Sequence, residues 1–251
     1  MRLAADEDTY ALRIIDRTTG APTAHGVDLI SVTTVLDRIL AVPFSAAANY
    51  GFRLALDGLR EVSLDAYRDD DGALDVEAAR ARLKALRLTP NEVRDDAASR
   101  GTAAHEVCER LAAGWVPRPC ERKEMDGYAL AALSWFDTVR PDVLYAEHPV
   151  YSLAWRVAGT ADIIYREDGR TILGDFKTHK PVRPSAPAYV KDLVQVSAYA
   201  ACAREMGIEV DEMRVIVLGE TGRYAVDERQ VPPDAFGAIV SVYRLLEGWL
   251  A

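Results

Sequence analysis

Asp162 closes the run Ala158-Gly159-Thr160-Ala161-Asp162, and thirteen residues later Asp175 begins Asp175-Phe176-Lys177 at the end of the next apolar run. The two runs read as neighbouring antiparallel strands joined by a tight turn at Glu167-Asp168-Gly169, which sets the two aspartates side by side. Lys177, two residues beyond Asp175, points to the same strand face. Two carboxylates and an ammonium at one point cost stability unless a divalent cation sits among them. Magnesium suits such a place, because it takes oxygen ligands, commonly one or two carboxylates with waters and a substrate phosphate. The chemistry expected is hydrolysis of a phosphodiester. Lys177 would orient or help deprotonate the attacking water, or balance charge on phosphorus. An ordinary Asp–Lys surface pair at a strand end is the plainer alternative.

Other residues add to this pair. His105, in Arg100-Gly101-Thr102-Ala103-Ala104-His105-Glu106, lies in a long helical pattern and offers an imidazole for magnesium or manganese. Alone it would be an ordinary surface or core histidine. Gly101 within that pattern costs about 1 kcal/mol against Ala and points to close backbone approach. Glu147 stands on the first strand-like run, where it could face the same pocket or solvent. His148 and His179 read as surface residues, His179 with a weak claim to a phosphate contact. Gln195 and Tyr199 are four apart, so they share one helix face. There they could hold the lysine or touch a nucleic-acid backbone, or mark plain amphipathicity with Tyr199 half buried.

These residues need elements to carry them. Tyr10–Ile15 reads as a strand followed by a turn at Arg17-Thr18-Thr19-Gly20, and Ser31 as the N-cap of a helix. Helical stretches follow over Ser45–Leu59 and Asp75–Arg87, separated by the breaker Asp69-Asp70-Asp71-Gly72. Thr89-Pro90 is an N-cap with proline at the first helical position, opening a helix to about Ala113. One helix is expected over Arg122–Val139. Strands then follow over 143–153, 156–165 and 171–176, a helix over 188–206, strands over 213–218 and 223–226, and a closing helix over 232–250. The fold class is α/β. Residues 1–89 are expected to be a strand and helical extension packed on a core spanning 90–251.

The chain has 251 residues, 49% of them hydrophobic and 27% charged, as in an ordinary globular protein. No apolar run is long enough to span a bilayer, and the N-terminus lacks the apolar segment of a secretory signal. A cytoplasmic location is expected, with no membrane partner. Cys108, Cys120 and Cys202 lie far apart with no Cys-x-x-Cys pair, which argues against a zinc knuckle or disulfide framework. A net charge of −9 argues against a nucleic-acid partner on its face. Charge is segregated, however. Residues 177–191 hold Lys177, Lys180, Arg183 and Lys191 with no acid, whereas residues 65–77 hold six acids against Arg68. Lys180, Arg183 and Lys191 are the candidate DNA-binding cations.

Taken in order, Gly101-Thr102-x-x-His105, Glu147, Gly159-Thr160-Ala161-Asp162, Asp175-Phe176-Lys177 and Gln195-x-x-x-Tyr199 resemble the PD-(D/E)XK nuclease superfamily, in its RecB-like and phage-exonuclease branch. The resemblance covers residues 95–205, and Ser31-Val32-Thr33-Thr34-Val35-Leu36 is similar to the N-terminal segment of phage members. It implies a restriction-endonuclease-like αβββαβ core with a mixed sheet flanked by helices. It implies one or two Mg2+ or Mn2+ ions held by His105, Asp162, Asp175 and the Phe176 backbone carbonyl, with Glu147 as a lesser contributor. Asp162, Asp175, Lys177, Gln195 and Tyr199 form the implied catalytic set. The implied activity is an exonuclease on linear duplex or single-stranded DNA ends, in recombination or repair. An endonuclease of the same fold and a catalytically silent DNA-binding module are the alternatives. Processivity would call for a homo-oligomeric ring or a single-strand annealing or recombination partner. Some members carry an iron–sulfur cluster on four cysteines, and none is expected here.

Overall fold

Three strands near the middle of the chain form an antiparallel meander: β4 (Asp142–Ser152), β5 (Val157–Glu167) and β6 (Arg170–His179). The β5–β6 turn works because Asp168 (φ +50°) and Gly169 (φ +78°) both take the left-handed conformation that a two-residue hairpin loop of this twist requires. The computed structural model describes residues 2–6, 9–15, 22–40, 68, 71–73, 75–87, 89–179 and 188–250. The expected turn at 17–20, the helix over 45–59, and Lys180 and Arg183 lie outside these.

Two compact units are present, residues 1–41 with 104–251 and residues 42–103. In the first, β1 (Arg2–Asp6), β2 (Thr9–Ile15) and β3 (Pro22–Ser31) precede helix α1 (Val32–Ile39). Ser31 caps α1 as its sequence predicts, with its hydroxyl accepting from the Thr33 N–H at 3.2 Å. In the second unit, Asp75 caps α2 (Val76–Ala85) by accepting from the Ala78 N–H at 2.9 Å. Helix α3 (Pro90–Ala112) begins in that unit and ends in the first. The single helix expected over 122–139 is two, α4 (Pro119–Glu124) and α5 (Gly127–Val139). Asp126 divides them, since its carboxylate takes the Ala129 N–H at 2.8 Å and starts a new helix.

Helix α6 (Val190–Glu205), β7 (Glu212–Gly219), β8 (Tyr224–Asp227) and α7 (Pro233–Leu250) complete the chain. Among the described residues the sheet has eight strands in the order β1-β2-β3-β5-β6-β7-β8, with β4 also on β5. It is mixed, because β3 runs parallel to β5 and β7 parallel to β6. The sequence pattern does not announce β1 and β3; β1 pairs with β2 at the edge, and β3, parallel to β5, joins these first strands to the central sheet.

Helices flank both faces. Ala104, Cys108 and Leu111 of α3 pack with Ala131, Ala132 and Trp135 of α5 against Ile163, Tyr165, Ile172, Phe176, Ile216 and Leu218. On the opposite face, residues of α1, α6 and α7 pack against Ile164, Leu173, Val215 and Val217. The i, i+2 alternation of β6 and β7 thus sends neighbouring residues into different cores. No described helix is long and apolar enough to cross a membrane.

Candidate metal centre

The β5–β6 ladder stops at Ile163 opposite Gly174, so Asp162 and Asp175 occupy the next register step. Strand β6 keeps its pairing with β7 as far as His179, so the opening lies on the β5 side. Phase also slips here. Val157 and Ala161 pack on the α6 face and Ile163 and Tyr165 on the α5 face, although strict alternation would put all four together. Asp162 sits at the slip. Its Oδ2 accepts the Phe176 N–H at 2.7 Å, which satisfies an amide that the ladder has released.

Two further elements bring ligands to Asp162. His105 stands at the edge of the buried stripe of α3, with Nδ1 3.6 Å from Asp162 Oδ2 and 3.9 Å from Glu147 Oε1. Glu147 faces Asp162 across β4 and β5, between the pairs Ala146–Ile163 and His148–Ala161. Its φ of +46° is unusual for a non-glycine residue inside a strand and costs about 1 kcal/mol or more. Ligand atoms of His105, Glu147 and Asp162 lie within 4.8 Å of one another. Glu147, a lesser contributor by the resemblance alone, is therefore a full member of this cluster.

Asp175 is directed elsewhere. Its carboxylate, 1% exposed, forms an ion pair with the Lys177 ammonium and lies 3.4 Å from the Gln195 amide nitrogen. The same nitrogen donates to the Tyr199 hydroxyl at 3.0 Å. Gln195 and Tyr199 do project together from α6, but at 8% and 4% exposure they support Asp175 from within the core. That burial removes the expected contact with a nucleic-acid backbone. Lys191 is paired with Asp37 of α1, which offsets its charge. His148 is partly buried beside the Tyr145 ring, centroids 4.4 Å apart. His179 is not a surface residue, since its side chain is 13% exposed and 3.6 Å from Asp192.

The electrostatics show how crowded the site is with charge. Burial, with the Asp175 charge adding to it, pushes the Asp162 carboxyl up to about 7. Burial raises Asp175 as well, against the pull of Lys177. Burial alone would lower His105, but the Glu147 carboxylate and the Asp162 charge outweigh it and leave the imidazole raised. Lys177 is raised for the same reason, by Asp175 and Asp162 against its own burial, so it is held as an ammonium. A cation among these groups would relieve the buried carboxylates. One imidazole and two carboxylates also form a nitrogen-and-oxygen donor set of the kind that divalent metal ions accept. The residues fit a divalent ion.

No protein-family profile matches the sequence, and no curated protein matches it. Among solved structures the chain is similar to one titled "Crystal structure of SSO0001", at 11% identity and a TM-score of 0.31 over 45% of this chain. The chain spans 54% of that one, about half its length. Similarity at that level does not bear on fold or function.

Proposed function

We propose that the protein is a divalent-metal-dependent deoxyribonuclease, an exonuclease acting on DNA ends in recombination or repair. The observation that carries this reading is the meeting of His105, Glu147 and Asp162 within 4.8 Å, beside the Asp175–Lys177 pair at the opening between β5 and β6. The order helix, three strands, helix, strand that presents these residues is consistent with a restriction-endonuclease-like core.

His105, Glu147 and Asp162 would hold the ion, with Asp175 and the Phe176 carbonyl at hand on β6. A bound magnesium or manganese ion would supply Lewis-acid polarisation of the scissile phosphate. The protein's own groups do the rest. Lys177, held protonated, acts as a hydrogen-bond donor and positive charge toward water and phosphate rather than as a free base. Asp175 fixes the lysine head group, and Gln195 with Tyr199 fixes Asp175. Water would add to phosphorus as the bond to the leaving sugar oxygen breaks, with one water proton passing through solvent to that oxygen.

Purified protein with magnesium or manganese should degrade linear duplex DNA and spare closed circles. Asp175→Asn and Lys177→Ala should each abolish this with folding retained. Cleavage of closed circles would make it an endonuclease. Equal nucleotide release by wild type and both variants would refute the site.

A further inference from the structure

The turn between β4 and β5, from Leu153 to Arg156, is pinned by three other elements. From α6, Glu205 Oε1 accepts the Leu153 N–H at 2.8 Å. From α7, the Arg244 guanidinium donates to the Trp155 carbonyl at 2.7 Å, and from β3 the Ile30 N–H donates to the Arg156 carbonyl at 3.1 Å. Within the turn, the buried Ser152 hydroxyl accepts the Trp155 N–H at 3.0 Å. Arg156 takes φ +48°, the left-handed conformation that glycine adopts without strain. Side chains held in that conformation cluster at ligand clamps and switches.

This turn borders a cavity of about 320 Å3. Leu29 of β3, Val35 of α1, Val157 of β5 and Val240 of α7 line it, and all four are buried. Trp155 lines it too, its indole fixed against α7. The ring lies 5.4 Å from that of Phe236, and a β-carbon on Gly237 would stand 3.3 Å from its Cζ2. The charged residues of the lining are Arg156, Arg244 and Asp28, all exposed. Charge therefore stands at the mouth, with one positive charge in surplus, over a hydrocarbon floor. Size and lining are those of a small-molecule site, about 300–1,000 Å3 and mostly apolar with a few polar groups. Val157 precedes Asp162 by five residues on β5, roughly 16 Å along a strand, so the cavity is separate from the metal centre.

We propose that this cavity binds a small acyl carboxylate, its hydrocarbon body on the valine and leucine floor and its carboxylate at Arg156 and Arg244. Guanidinium groups match carboxylates with paired N–H donors. Arg244 gives one donor to the Trp155 carbonyl and has others to spare. With Asp28 at the mouth, the surplus of one charge is balanced by a monoanion and exceeded by a phosphate dianion. An acyl chain asks for no hydrogen bond from the floor. A nucleobase would leave polar edge atoms without partners there, which is costly.

The test is calorimetric titration of the whole protein with octanoate, with octanol as the same body without the charge, and with thymidine monophosphate. Octanoate should bind one-to-one, about tenfold more tightly than octanol. Arg156→Gly removes a guanidinium and the backbone strain together. It should weaken octanoate about tenfold, leave octanol unchanged, and keep the urea unfolding midpoint at or above that of wild type. A merely structural arginine would not separate the two ligands in this way. Val240→Phe, which fills the cavity, should abolish binding of both. Octanoate binding equally to wild type and Arg156→Gly, or to wild type and Val240→Phe, overturns the proposal. So does wild type that does not bind octanoate, or that binds thymidine monophosphate more tightly.

Discussion

Gly159 and Tyr199 are in contact so close that a β-carbon on Gly159 would stand 2.3 Å from Tyr199 Cε1. No side chain fits there without moving the ring. The ring's hydroxyl receives the Gln195 amide, and that amide faces Asp175. Glycine on β5 is thus the first member of a chain of contacts that ends at the Asp175–Lys177 pair.

Gly159→Ala should therefore act at a distance. Overpacking of this kind costs about 1–3 kcal/mol, read as a lowered unfolding midpoint in urea. Displacing Tyr199 should also release Gln195 and reduce kcat with little change in KM. Tyr199→Phe keeps the packing and loses only the hydroxyl, so it should cost about 1 kcal/mol and reduce kcat less. Equal stability and turnover in wild type and Gly159→Ala would show that the ring is free to move.

Asp162 makes the metal-free protein sensitive to pH in a definite direction. Its carboxyl is raised from 3.8 to about 7, so the folded state holds a proton that the unfolded chain releases. The contribution is fully present below about pH 4 and is lost as pH rises through about 7. His105, also raised, works in the same sense. Thermal melts of metal-free protein should fall in midpoint between these limits, and Asp162→Asn should flatten the fall. Magnesium or manganese competes with that proton, so its affinity by calorimetry should climb over the same interval. A pH-independent affinity would contradict the proposed ligand set.

Glu147 gives a third test, because its backbone and its carboxylate make opposite demands. Glycine adopts φ +46° without the penalty that a side chain pays. Glu147→Gly should recover about 1 kcal/mol of backbone strain, set against the loss of the contact with His105. Manganese affinity should fall at least tenfold. Unaltered manganese affinity would remove Glu147 from the centre.

Much of this molecule was legible from local pattern. Alternation marked β4 to β8, and hydroxyl, proline and Asp-Gly signals marked where helices and the hairpin begin. The grouping of Asp175 with Lys177 and of Gln195 with Tyr199 follows from strand and helix periods alone. Asp126 was the local signal overlooked, a cap inside an apparently continuous helix. His179 was misplaced because burial at a strand end depends on what covers it, here Asp192 of α6 and Tyr189 at its N-cap.

Local pattern, then, set which residues share a face of each regular stretch, because 2.0 and 3.6 residue periods are properties of the backbone, and it failed where β5 slips phase at Asp162. Only the tertiary structure decided which faces meet. It placed His105, Glu147 and Asp162 together from three elements, and it turned Asp175 toward Lys177 and Gln195. It also set β3 beside β5 and laid Tyr199 on Gly159. Those choices rest on register, a slip of phase and shape complementarity between distant segments, and no local period encodes them.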